Sequence, residues 1–302
     1  AKGDPMTTCR DAISLILASV APLPARPTPL FDALGLVLAE RGVSPETVPP
    51  FTNSAMDGYA VRADDLASAP AELEVLSDLP AGSVATEDVR AGTAIRIMTG
   101  APIPAGADSV VPVESTVSEG SRVRIAVPVK RGANVRLAGE DLREGEELLP
   151  SGFALTPAAL GILASVGLAE VSVRPRVRVA ILTTGDGLVA ASAKPGPGQI
   201  RDSNVHTMYG QAVAFGAVPI PIPRVPDTRE AVIAALTRAR AEADVIVTNG
   251  GISVGDYDFI KAVLGGFGAR EVFWKVKQKP GGPLGLWLWD GTPVFGIPGN
   301  TV

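Results

Sequence analysis

From Arg176 onward the chain alternates short apolar runs with helix-length segments that end on glycine, and this alternation limits the possible folds more than any other feature. Residues 177–182 and 244–249 read as buried strands. Residues 204–215, closed by Gly216, and 227–243 read as helices, and a helix over 256–264 and a strand over 271–277 follow. Parallel strands need crossovers of helix length, and strands buried on both faces read as continuous apolar runs. The expected fold here is therefore a mostly parallel α/β sheet covered on both faces, with ligands bound outside the carboxyl ends of its strands.

Upstream the periodicity differs. Residues 8–20 and 31–41 carry apolar residues at helical spacing, Ile13, Ile16, Leu17 and Val20 in the first and Phe31, Leu34, Val37 and Leu38 in the second. From about residue 51 to 141 short alternating runs such as Ala94-Ile95-Arg96-Ile97 lie between Gly, Pro and Asp turns, with a hairpin turn at Ser118-Glu119-Gly120-Ser121. Thr156-Pro157 then places an N-cap before a proline in the first helical turn, and Gly167 closes that helix. The fold class is multidomain, α+β and α/β. An elongated helical domain (6–48 plus 142–175) carries an inserted small β domain (49–141), and an α/β domain (176–302) follows.

A net charge of −5 with scattered Lys and Arg offers no broad basic surface for nucleic acid. One Cys and one His, Cys9 and His206, exclude a disulfide framework and a His- or Cys-cluster zinc site. A metal would take oxygen ligands, which suits Mg²⁺. No apolar run is long enough to span a bilayer. Residues 13–21 resemble a short signal sequence, but Asp11 and Ser14 interrupt them, so an amphipathic first helix of a cytoplasmic protein is expected.

Several segments carry side chains suited to chemistry. Gly250-Gly251-Ile252-Ser253-Val254-Gly255 follows a strand and opens a helix, so free backbone N–H groups there would favour a phosphate. Asp256 and Asp258 beside such a cradle make sense where Mg²⁺ bridges carboxylate and phosphate, although Asp256 reads first as a helix N-terminal carboxylate and Asp258 reads equally either way. Lys275, Lys277 and Lys279 alternate, and a strand would point all three to one face, toward an anion or toward solvent. Asp227 and Glu230 fit a capping box. Asp57 follows Pro49-Pro50-Phe51-Thr52-Asn53-Ser54-Ala55-Met56 and precedes Gly58, as a carboxylate on an exposed loop.

That Asp57 loop, together with Thr183-Thr184-Gly185-Asp186-Gly187-Leu188 and Asn249-Gly250-Gly251-Ile252-Ser253-Val254-Gly255-Asp256-Tyr257-Asp258, resembles the MoeA family of molybdopterin molybdotransferases, whose animal relative is gephyrin. The resemblance implies insertion of molybdenum from molybdate into adenylylated molybdopterin with Mg²⁺-dependent release of AMP, by a homodimer that works with a MogA-like adenylyltransferase and molybdoenzyme maturation partners. It also implies a MogA-like α/β domain. Position by position it carries over Asp57, Thr99 and Asp141 on the inserted-domain side. In the α/β domain it carries over Asp227, Asp258, Lys275 and Lys279, with Asp227 and Asp258 as metal ligands. The resemblance also implies that Asp202-Ser203-Asn204 face the substrate, and Gly250, Gly251 and Ser253 are expected to bind substrate or oxyanion.

Three residues depart from the family pattern. Gly187 stands where the family has glutamate, Gly282 where it has lysine, and Thr301 where it has proline. The chain stops at Val302 just after a glycine-rich loop, so the family's further C-terminal β domain is expected to be missing. The rival readings are a pterin-binding paralogue with impaired turnover and a gephyrin-like scaffold or carrier.

Overall fold

The computed structural model describes residues 7–251 and 259–299. The chain forms two compact units, Pro27–Ser172 and the pair Ala1–Arg26 with Val173–Val302.

The Pro27–Ser172 unit is built on a six-stranded mixed sheet. Its order is Ser109–Pro112, Gly58–Val61, Thr93–Ile97, Ala71–Leu79, Arg122–Ile125 and Thr116–Glu119. The last two strands form the expected hairpin, with Arg122 opposite Glu119 and Gly120 at φ 62° in its loop. Alternation supplies both faces: Tyr59, Val61, Ala94 and Val123 pack in one cluster, Ala60, Ile95, Ile97 and Val110 in another. Helix α2, Pro157–Ser165, starts as the sequence predicts: Thr156 Oγ1 accepts from Ala159 N at 3.2 Å, and Gly167 follows the helix at φ 79°.

The helix predicted over 31–41 does not form. Leu30–Asp32 make one 3-10 turn, and Gly35 at φ 73° ends the local run. The backbone then pairs with a distant segment: Gly35 N donates to Leu155 O at 2.8 Å and Leu38 N to Phe153 O at 3.0 Å. Non-local pairing takes the backbone groups that a helix would have used. The part expected to be an elongated helical element thus holds, within this unit, α2 and several short strands rather than paired long helices.

The other unit carries the sheet that the alternation predicts. Its order is Val218–Pro221, Arg178–Thr183, Val245–Asn249, Thr292–Ile297, Gly285–Trp289 and Arg270–Trp274. The first four strands are mutually parallel, and Gly285–Trp289 runs antiparallel to both of its neighbours. Helices α3 (Asn204–Ala214), α4 (Arg229–Glu242) and α5 (Phe259–Gly266) cover the sheet. One apolar cluster joins Val232, Leu236 and Ala239 of α4 and Ile260, Val263 and Leu264 of α5 to Ala180, Leu182 and Ile246 of the strands.

Helix α1, Cys9–Ser19, packs Ala12 and Ile16 against Phe273, Val276 and Leu286. Of its predicted apolar face only Ile16 packs there; Ile13, Leu17 and Val20 lie outward, with Ile13 58% and Leu17 70% exposed. Among the described residues no helix is long and apolar enough to cross a membrane.

Candidate functional site

In the Pro27–Ser172 unit the sheet brings Asp57 and Thr99 together. Asp57 Oδ1 accepts from both Thr99 N and Thr99 Oγ1 at 2.7 Å. These two bonds, the backbone one first, hold the exposed Asp57 carboxyl below its ordinary range. The next residue fixes the geometry. Gly58 pairs with Ile97 and with Pro112, and a Cβ on it would lie 2.0 Å from Val111 O. Only glycine fits this close approach.

Asp141 lies in the same unit, tied to the Asp57 loop through backbone pairing. Ser54 N donates to Ala101 O, Ser54 pairs with Val135, and Asn53 pairs with Arg136. The Arg136 guanidinium donates to Asp141 Oδ2 at 2.8 Å. Asp141 is therefore one end of an exposed ion pair, worth under about 1 kcal/mol to stability.

In the α/β unit the polar residues gather at the carboxyl ends of the parallel strands. Asp186 N donates to Asp227 Oδ2 at 3.0 Å, and Asp227 N donates to Asp186 Oδ1 at 3.2 Å. The capping box predicted for Asp227 is thereby corrected: the N-cap of α4 is Thr228, whose Oγ1 accepts from Ala231 N at 3.3 Å. Asp227 is diverted by a partner far away in sequence.

Asn249 ends the central strand. Its Oδ1 accepts from Asn204 Nδ2 at 2.8 Å, and its own Nδ2 donates to Pro298 O at 2.7 Å. Asn204 Nδ2 also reaches Gly299 O at 2.7 Å, which links three loops. Asp202 is buried, with Oδ2 accepting from Thr183 Oγ1 and Oδ1 from Val205 N at 3.2 Å. Ser203 is exposed at the start of α3, and its carbonyl accepts from Thr207 Oγ1.

Gly250 and Gly251 take φ of 85° and 64°, and a Cβ on either would lie within about 3 Å of Thr184 Oγ1. That hydroxyl is buried and has no hydrogen-bond partner among the described residues. The Gly250 N–H is not free for an anion, because it donates to Ile297 O at 3.2 Å. Ser253, Asp256 and Asp258 lie outside the described residues.

The row of three lysines on one strand face is also corrected. The strand ends at Trp274, and Lys275 takes a left-handed φ of 68°. Lys275 N donates to Leu284 O and Lys277 N to Thr7 O, so the segment has left the sheet. Lys275 is half-buried; Lys277 and Lys279 are exposed.

Sequence reasoning assigned no role to Thr183, Asn249 or Arg224 and named Asp186 only within a motif. Arg224 Nη1 donates to Leu188 O. The position of Asp186 and Asn249, each just at or after the end of a strand, was the signal that could have found them.

Residues 7–167 match the MoeA N-terminal region (domain I and II), and residues 180–302 match a probable molybdopterin binding domain. The chain is 40% identical over 283 residues to molybdopterin molybdenumtransferase 2 of Mycobacterium tuberculosis, covering 91% of this chain and 70% of that protein. It is 38% identical over 307 residues to the molybdopterin molybdenumtransferase of Nostoc sp., covering 98% and 70%. A solved molybdopterin biosynthesis MoeA protein from Pyrococcus horikosii has the same fold at a TM-score of 0.84 and 29% identity, over 98% of this chain and 75% of that one.

Proposed function

The chain belongs to the MoeA family, transferases of molybdenum cofactor biosynthesis, and on that premise we propose that it inserts molybdenum from molybdate into adenylylated molybdopterin with release of AMP. One observation carries this reading: the carboxyl end of the parallel sheet gathers Asp186, Asp227, Asp202, Asn204 and Asn249 around the Gly250-Gly251 turn. Carboxylates beside a glycine turn at a strand end suit a phosphorylated substrate bound through a divalent cation.

The residues fit Mg²⁺. Asp186 and Asp227 each commit one oxygen to the other's backbone N–H, which leaves one oxygen of each outside this exchange. Mg²⁺ is usually held by one or two carboxylates together with substrate phosphate and water. When bound it would neutralise the phosphates of the adenylylated substrate and favour cleavage to AMP. Asp186 and Asp227 would hold it, with Asp258 as the third ligand that the family pattern supplies.

The chain's own residues orient the substrate and carry its charge. Lys275 and Lys279 are proposed to face the oxyanions, as charge-assisted donors. Asp57 and Asp141, with Thr99 fixing Asp57, are proposed to act across a homodimer on the partner's α/β unit. The outward apolar residues Ile13 and Leu17 of α1 and the fully exposed Phe31 support self-association. A MogA-like adenylyltransferase would supply the substrate.

The reading is tested by incubating full-length protein with adenylylated molybdopterin, molybdate and Mg²⁺ and measuring AMP and dithiolene-bound molybdenum. Stoichiometric release of AMP with molybdenum transfer is expected. Gly187 and Gly282 favour one second reading, a pterin-binding paralogue, because both positions lack the family's charged side chain. Tight pterin binding without AMP release would select that reading or a carrier role.

A further inference from the structure

Asp186 stands between two glycines, so the turn that presents its carboxylate has little stiffness of its own. Gly185 takes φ 145°, and the nearest atom that a Cβ on Gly187 would meet is Gly198 O at 3.3 Å. A carboxylate on such a turn is fixed only from outside.

The fixing groups come from the segment Ile222–Asp227, which runs beside it. Ile222 N donates to Ile181 O at 2.9 Å, Val225 N to Thr183 O at 3.0 Å and Gly185 N to Val225 O at 3.4 Å, and Thr184 bridges Val225 in parallel. Past Gly185, among the described residues, side chains take over from the backbone. Asp227 Oδ2 accepts from Asp186 N, and Arg224 Nη1 donates to Leu188 O. The Leu188 carbonyl is open to Arg224 because the short ladder to Ile200–Arg201 uses its neighbours. Ile200 N donates to Gly187 O at 2.8 Å and Asp202 N to Val189 O at 2.9 Å, so the carbonyl between them faces the other way.

The two side chains flank Asp186 and differ in kind. Asp227 is one of the carboxylates read above as holding Mg²⁺, so the cation competes for its electron density. Arg224 is exposed, stays charged and carries no such second task. Resting on the Mg²⁺ reading, we propose that Arg224 is a positioning residue for Asp186. Its bond to Leu188 O fixes the double-glycine turn in the form that takes a divalent cation, and Gly187, which has no side chain to pack, leaves this task to it. The role can be tested by sign. A guanidinium beside a cation site repels the cation, so its removal would tighten cation binding if charge alone mattered. Removal of a positioning group loosens it.

The test titrates full-length protein with Mn²⁺, followed by electron paramagnetic resonance, with no pterin or nucleotide present. Arg224→Met keeps the length of the side chain and removes its donors, and is expected to weaken Mn²⁺ binding by about fivefold or more, the scale of one hydrogen bond. Arg224→Lys keeps one donor and the charge and should recover most of that loss. Gly187→Ala, added to Arg224→Met, stiffens the turn by another route and should restore about twofold or more. Melting temperatures should stay near that of the parent. Unchanged or tighter Mn²⁺ binding in Arg224→Met overturns the proposal. Weaker binding that neither second variant restores, or that follows a fall in melting temperature, overturns it as well. The Mg²⁺ reading fails separately, if the parent itself binds no Mn²⁺. Because the titration needs no turnover, the expected Mn²⁺ pattern without AMP release from the parent sinks the transferase reading alone.

Discussion

Asp186 and Asp227 hold each other across two loops, each backbone N–H donating to the other's carboxylate at 3.0 and 3.2 Å. The exchange braces the two loops against each other and leaves one oxygen of each carboxylate outside it.

Thr228→Ala should cost about 1 kcal/mol of stability by removing the N-cap of α4, whereas Asp227→Asn, which keeps the acceptor for Asp186 N, should leave the melting temperature nearly unchanged. In AMP release the order should reverse, with Asp227→Asn losing Mg²⁺-dependent turnover and Thr228→Ala retaining it. Thermal melts beside turnover at varied Mg²⁺ check this; a larger stability loss in Asp227→Asn would restore the capping reading.

How much was legible in the sequence depends on how far away each residue's partner lies. The strands of the α/β sheet were readable because burial on both faces writes an apolar run into the local sequence. The helix expected over 31–41 had the right spacing, but Leu155 and Phe153, more than a hundred residues on, take its backbone groups. Asp227 and Thr228 are adjacent capping residues, and only Asp186 decides between them. The Asp57–Thr99 contact likewise joins two residues that no local pattern connects, and the resemblance named both without showing that they touch. Lys275 broke the alternating lysines because its left-handed φ is a property of the backbone path, not of its spacing.

Thr99→Val removes the hydroxyl bond to Asp57 and keeps the larger backbone one, so the Asp57 carboxyl should titrate at a higher pH than in the parent but still below a free aspartate. The sign is that of a depressed carboxylate: its contribution is present above the unfolded value and is lost as pH falls through the folded one. Carbon-13 NMR titration of the side-chain carboxyl reads this directly. An unchanged titration in the variant would mean that the hydroxyl contributes nothing.

Gly58→Ala should destabilise the protein by about 3 kcal/mol, the upper end for overpacking, because its Cβ would lie 2.0 Å from a backbone oxygen that cannot swing aside. Denaturant unfolding measures the loss. A change below about 1 kcal/mol, within the range of tolerated core swaps, would show that the two flanking strands can separate there.

Lys275→Gly separates structure from function at a strained position. Glycine relieves the left-handed backbone, a gain of order 1 kcal/mol, while removing the ammonium group. If the side chain binds an oxyanion, the variant should melt no lower than the parent yet bind ligand more weakly by about 1.5–3 kcal/mol. Lys277→Ala should leave binding near that of the parent. Equal losses for both variants would assign the effect to general surface charge.

Gly187 is the departure that bears most on turnover. Its φ lies outside the left-handed region, so a side chain meets no backbone strain, and a Cβ would approach Gly198 O at 3.3 Å. That contact asks the 198–200 segment to give by a few tenths of an ångström, and the segment is held to Gly187 through Ile200 N donating to Gly187 O at 2.8 Å. Gly187→Glu should therefore fold with a loss of about 1 kcal/mol or less. The new carboxylate would stand next to Asp186 and add an oxygen donor for Mg²⁺, so AMP release should rise while the Mg²⁺ requirement falls. Turnover of both proteins across a Mg²⁺ series decides it: if release falls while the melting temperature holds, the added charge repels the substrate and the glycine is an adaptation of this chain rather than a loss.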